Sequence, residues 1–149
     1  MDFRIAPLAP EDHAEALSLW RRSPGIGLSA ADEPEAIRRY LERNPGLSFA
    51  ARAGERLVGT ILCGHDGRRG YLHHLAVDAE FRGRGLGRTL AEHGLRALRA
   101  AGVDKCHLFV KRENEAAAAF WSRTGWTERI DLRMFSVDLP ADEEPRGRQ

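Results

Sequence analysis

Between Val77 and Leu90 the chain reads VDAEFRGRGLGRTL: an apolar strand end, a short polar step, then arginine and glycine interleaved at the head of an amphipathic helix. The first N–H groups of a helix lack intrahelical partners and the macrodipole adds about half a positive charge there, so an anion binds favourably. Gly83, Gly85 and Gly87 carry no Cβ to hold a ligand away, and Arg82, Arg84 and Arg88 add charge that pairs with phosphate. The segment predicts a strand, loop and helix built around a phosphate-bearing ligand.

A chain of 149 residues with 42% hydrophobic content is sized for one core, so a single domain over 1–139 is expected. The polar stretch 140–149, with two prolines, reads as a tail without fixed structure. Lys and Arg total 23 against 22 Asp and Glu, which gives no global field for nucleic acid or an anionic membrane. The sequence has neither a bilayer-spanning apolar run nor the order of a secretory leader at its start, so a cytoplasmic location is expected. Cys63 and Cys106 sit in apolar surroundings and read as buried thiols, and no metal site is expected.

The periodicity predicts a strand at Phe3–Ala6, a helix opened by Pro10 with Ala14, Leu17 and Trp20 on one face, and a break at Ser23–Gly27. A second helix runs over Asp32–Arg43. Runs at Leu47–Ala53, Arg56–Cys63 and Tyr71–Val77 make an antiparallel meander. After the glycine loop, Leu86, Leu90, Leu95 and Leu98 stripe a long helix that stops near Gly102. Strand Cys106–Val110, a helix capped by Asn114 and a last strand Leu132–Leu139 complete the order. This is an α/β (α+β) chain: a mixed, mostly antiparallel sheet with helices on both faces and the ligand where the strands ending at Val77 and Val110 part.

Two phosphate loops are excluded. A dinucleotide fingerprint places its third glycine where Arg88 stands, and the lysine of a P-loop is missing.

The stretches LHHLAV, RGRGLG, KCHLFV and NEAAAAFWSRTGW resemble those of the GNAT acetyltransferases, most of all the bacterial YpeA-like members. Arg82, Gly85 and Gly87 fill the family's acyl-CoA pattern of Arg or Gln, two residues, Gly, one residue, then Gly or Ala. The resemblance implies acetyl-CoA as co-substrate, with its pantetheine arm along the backbone of Leu75, Ala76 and Val77 and its pyrophosphate at Arg82–Arg88. Asn114 takes the family's asparagine place near the cofactor arm; read alone, it is a helix cap. The implied partner is an amine, on a small molecule or a peptide N-terminus, and a homodimer is compatible with the family.

Acyl transfer to an amine needs a neutral nucleophile, an oxyanion donor and a proton for the leaving thiolate. Deprotonating a lysine-like ammonium costs roughly 4 kcal/mol at neutral pH, an α-amino group about half a kcal/mol. His73 and His74 are the candidate bases, and strand alternation predicts that they point to opposite faces, His73 sharing its face with Leu75 and Val77. In related members a catalytic histidine stands two residues before the corresponding leucine, which favours His73; Glu113 and Asp66 are weaker candidates. The family often has a tyrosine as general acid where this chain has Trp121, an indole that donates only. That replacement keeps a second reading open: a noncatalytic acyl-CoA binding module. RNA binding by the arginine-glycine loop is a third.

Overall fold

Apolar runs separated by glycine turns build the sheet. The computed structural model describes residues 2–141. Strands β1 (Arg4–Pro7), β2 (Phe49–Ala53), β3 (Arg56–His65) and β4 (Gly70–Val77) pair antiparallel in that order, and β5 (Cys106–Leu108) joins the edge of β4 in parallel. Gly54, at φ 62°, turns β2 into β3. A parallel step needs a crossover, and α3 (Leu86–Ala100) supplies it. Of the expected tail, residues 142–149 lie outside the described part.

The central strand β3 is buried on both faces because helices cover both. On one face α3 sets Leu86, Leu90 and Leu98 against Val58, Ile61 and Leu72. On the other, α1 (His13–Arg21) and α2 (Pro34–Arg43) set Leu19, Trp20, Ile37 and Leu41 against Ala50, Leu57, Leu62 and Ala76. Gly94 lets α3 approach β3 closely: a Cβ there would run into the sulfur of Cys63. Cys63 is a buried free thiol, raised in pKa by burial, and the half-buried Cys106 is pushed up to about 11, mainly by burial.

Two expectations are corrected. The buried stripe of α1 is His13, Ala16, Leu19 and Trp20, while Ala14 is exposed. The indole of Trp20 donates to Thr60 Oγ1 at 2.9 Å, and this buried bond sets the rotation of the helix. Second, residues 132–139 form no strand: their backbone joins no ladder among the described residues, and Phe135, Val137 and Leu139 are more than four-fifths exposed. Alternation supplies a strand's faces, whereas its hydrogen bonds must come from a neighbour.

Candidate active site

β4 and β5 hold together only through Gly70, Tyr71 and Leu72, opposite Cys106, His107 and Leu108. Beyond Leu72 the two strands part, and the β5-facing edge of β4 is left open from His73 to Val77. Asp78 N–H donates to Val58 on β3 at 2.8 Å, so by strand alternation the carbonyls and amides of Leu75 and Val77 face the open edge, while Ala76 is turned to its partner Thr60. Of the three residues expected to line the arm, two therefore turn backbone groups to that edge, the Val77 carbonyl being already taken by Arg82 Nε at 2.9 Å. An edge with free N–H and C=O groups accepts an extended ligand as it would another strand.

A bulge interrupts β4 at this point. His73 lies opposite Leu62 and Ala76 opposite Thr60, so His74 and Leu75 together face Ile61 alone. His74 has φ 49°, a left-handed conformation uncommon outside glycine. Its carbonyl accepts from Thr60 Oγ1 at 3.0 Å, its Nε2 lies 2.8 Å from Asp32 Oδ1, and its ring meets Trp20 edge-on at 4.7 Å. Asp32 is buried and held in turn by Ser29 N–H at 2.9 Å.

The bulge overturns the expected alternation. Leu75 and Val77 pack toward α3, whereas His73 shares the α2 side with Tyr71, in a hollow of about 250 Å³ lined also by Tyr40, Asn44 and Gly64. His74 points to the same side, toward α1. The His73 ring stacks on Tyr71 and Phe109 at 6.5 and 6.4 Å. Its edge stays open to water, but this packing removes enough solvent to lower its pKa, helped by His74 and opposed by Asp32. The imidazole is therefore neutral at neutral pH.

The glycine loop follows a short 3-10 turn, Ala79–Phe81, capped by Asp78. Gly83 and Gly85 have φ of 77° and 80°, and nothing lies within 4 Å of a Cβ built at either, so the loop encloses open space in front of the α3 amides. Gly87 lies on the first turn of α3 near Leu75, Val77 and Phe120, joining the loop to the open strand edge. Leu86 is buried in the core and offers only its backbone.

The arginines are dispersed. Arg82 Nε donates to the Val77 carbonyl at 2.9 Å, Arg84 lies over the Phe81 ring at 5.3 Å, and Arg88 pairs with Glu92 at 3.5 Å.

Asn114 caps α4 (Glu115–Arg123), its Oδ1 accepting from Ala117 N–H at 3.0 Å, and its amide nitrogen fills the space a Cβ would need at Gly25. The loop after α1 thus packs against the start of α4. Its signal, Gly25 within SPGIG, read in sequence only as a helix break. Of the tryptophans, Trp20 is core, while Trp121 and Trp126 pack edge-on at 5.2 Å against the α3-side core.

Among the described residues no helix is long and apolar enough to cross a membrane, and no His, Cys, Asp and Glu cluster is placed to hold a metal.

A parallel edge that splays at a bulge and opens onto a glycine-headed helix defines an acyltransferase type of fold, and the comparisons agree. The chain belongs to the acetyltransferase (GNAT) family, which it matches over residues 14–126. It is 31% identical over 145 residues to Acetyltransferase ECA0875 of Pectobacterium atrosepticum, covering 97% of this chain and 99% of that protein. Its fold is similar to that of the PaiA N-acetyltransferase from Thermoplasma acidophilum, solved in complex with coenzyme A: TM-score 0.75, 21% identity, 85% of this chain and 91% of that one. The ribosomal-protein-S18-alanine N-acetyltransferase from Escherichia coli is similar at TM-score 0.72 and 24% identity, over 87% and 80% of the two chains.

Proposed function

We propose that this protein transfers an acetyl group from acetyl-CoA to a primary amine, on a small molecule or a peptide N-terminus, by direct attack within a ternary complex. The observation that carries the reading is the open edge of β4 running straight into the glycine loop. The pyrophosphate occupies the space before the amides of Gly85–Arg88, with Arg82, Arg84 and Arg88 around it. The arm pairs with Leu75 and Val77, near Asn114. From Val77 to His73 the strand advances about 13 Å, which brings the thioester end to the fork.

There the amine nitrogen attacks the thioester carbon, and the Leu75 amide, facing the gap, donates to the oxyanion. His73, an imidazole unprotonated at neutral pH, takes the proton from the amine. His74, with Asp32 fixing its ring, holds the bulge that aims the Leu75 amide and is the second candidate base. Collapse re-forms the carbonyl, the C–S bond breaks, and the thiolate leaves with the electron pair; it takes a proton from water, His73 returns its own to water, and the products are the N-acetyl amine and the coenzyme thiol. Trp121 donates no proton, and a thiolate departs tolerably near neutral pH without one.

Within the family we group the chain with the YpeA-like acetyltransferases, on the motif stretches that carry the resemblance. The packing of Trp121 into the core in place of an acid favours one other reading, an acyl-CoA binding module without turnover. Incubation with acetyl-CoA and a panel of amines and N-terminal peptides, read by thiol release, separates the two. Release with at least one acceptor supports transfer; binding with no release across the panel supports the module.

A further inference from the structure

The hollow beside His73 is lined by hydrogen-bond donors that have not found acceptors. At its floor lies Gly64, opposite Tyr71 on β4; a Cβ built there would meet the Tyr40 hydroxyl and the Asn44 amide nitrogen, each at 2.8 Å. The Tyr40 hydroxyl is closed off from water and is the one buried side-chain polar atom among the described residues without a hydrogen-bond partner. Asn44 is fixed in orientation because its Oδ1 accepts from His65 N–H at 3.1 Å. Of the two N–H groups on its Nδ2, one goes to the Tyr40 carbonyl at 3.2 Å, which leaves the second unused. His65 Nδ1 accepts from Gly67 N–H at 3.0 Å, so the neutral ring carries its proton on Nε2 and is a donor there. At the rim, Arg43 in the last turn of α2 makes no hydrogen bond or ion pair among the described residues. The one acid of the lining, Asp66, is engaged within its own turn, Oδ1 accepting from the amides of Arg68 and Arg69 at 2.8 Å. The stacked rings of Tyr71 and His73 form the remaining wall.

We infer that this hollow binds a carboxylate of the acceptor, so that the amine acetylated is that of a free amino acid or a similarly small amino-carboxylate, an assignment resting on the proposed transfer reaction. Tyr40, Asn44, His65 and Arg43 all offer donors, one of them with a full positive charge, and a carboxylate brings acceptor-only oxygens to meet them. A buried hydroxyl without a partner is unfavourable, and a carboxylate oxygen reaching Tyr40 as the hollow opens to its ligand removes that cost. The spacing suits the same class. From Tyr71 to His73 the strand advances about 7 Å. An α-amino acid spans roughly 3 Å from nitrogen to carboxylate, and a hydrogen bond of about 3 Å at each end lets it bridge from the floor to the His73 ring. The hollow, about 250 Å³, is smaller than the ~300–1,000 Å³ of drug-sized ligand sites, which suits one amino acid rather than several peptide residues. A peptide N-terminus carries a neutral carbonyl where the free acid carries its charge, and would leave Arg43 without a counter-ion.

The test measures thiol release from acetyl-CoA by the full chain with three matched sets of acceptors: the common free amino acids, their α-amides, and peptides that begin with the same residues. KM is expected to be at least about tenfold lower for the free acids, although the amine of an amide is the less basic and more often neutral. Arg43→Ala raises KM for the acids and brings the ratio of acid to amide toward one. Tyr40→Phe also raises KM for the acids but, by deleting an unpartnered hydroxyl, does so without loss of thermal stability, a split that a purely structural tyrosine would not give. Equal or better use of amides or peptides overturns the carboxylate site and leaves the transfer reaction standing. If no acceptor is turned over, the transfer reaction fails by itself, and binding decides the site. The same acids and amides are then titrated against the backbone amide signals of Gly64 and His65, with and without coenzyme A. Saturable shifts with the acids alone support the site; shifts shared by the amides, or absent, overturn it.

Discussion

The rings of His73 and Phe109 lie 6.4 Å apart, nearly parallel, as the first side chains beyond the last paired residues of β4 and β5. In the proposed reaction His73 is the base, and Phe109 stands beside it at the opening of the fork. His73→Ala is expected to lower kcat by about 10²- to 10⁴-fold, with coenzyme affinity retained. The loss is smaller for an α-amino acceptor than for a lysine-like one, because the former is already partly neutral at pH 7. Steady-state kinetics on the two acceptor classes checks both statements.

The depressed pKa of His73 has a sign that can be measured. The base works when unprotonated, so kcat/KM falls on the acid side through an apparent pKa below the ordinary value of about 6.5. Asp32 opposes the shift, so Asp32→Ala moves that limb to lower pH still. A pH–rate profile of the two proteins reads the order directly.

Gly85→Ala places a side chain at φ 80°, costing about 1–2 kcal/mol of backbone strain, and puts a methyl into the open space before α3. Coenzyme affinity is expected to fall well beyond the loss in stability. Calorimetric titration alongside thermal unfolding separates the two effects.

Gly94→Ala drives a methyl into Cys63 and is expected to cost about 1–3 kcal/mol. Shortening the obstructing side chain relieves it, so the double variant with Cys63→Ala is more stable than the sum of the single losses. Denaturant unfolding of the four proteins gives the coupling.

Asp78 ties the end of β4 to α1 and β3 through Arg22 and Arg56, at 3.0 and 2.9 Å. Burial raises its pKa, but the Glu80 amide and the two arginines outweigh it and hold the carboxyl below its ordinary value. The stabilisation is thus full above about pH 4 and is lost as pH falls through the folded-state pKa. Asp78→Asn is expected to cost about 1–2 kcal/mol at pH 7, the arginines being half-exposed and screened, and to converge with wild type in acid. Melting temperatures across pH 2.5–7 check the convergence.

Local pattern carried the glycine loop, the long helix that follows it, the meander and the cap at Asn114, because each rests on contacts near in sequence. The faces of His73 and His74 were not legible. Strict alternation separates them, and the bulge that unites them depends on how β3 pairs and on Thr60, Trp20 and Asp32 gripping His74. The rotation of α1 likewise follows from Trp20 finding Thr60, distant in the chain. Residues 132–139 have strand alternation but no ladder partner among the described residues, so pattern alone misjudged their state.

In the proposed reaction the open edge of β4 and the head of α3 form one coenzyme site. Backbone amide spectra recorded while acetyl-CoA is added test it most directly. Saturable shifts and slowed exchange are expected at Leu75, Val77 and Gly85–Arg88, with Ala76 far less affected. Saturable binding whose changes fall elsewhere, or no binding at all, would contradict it.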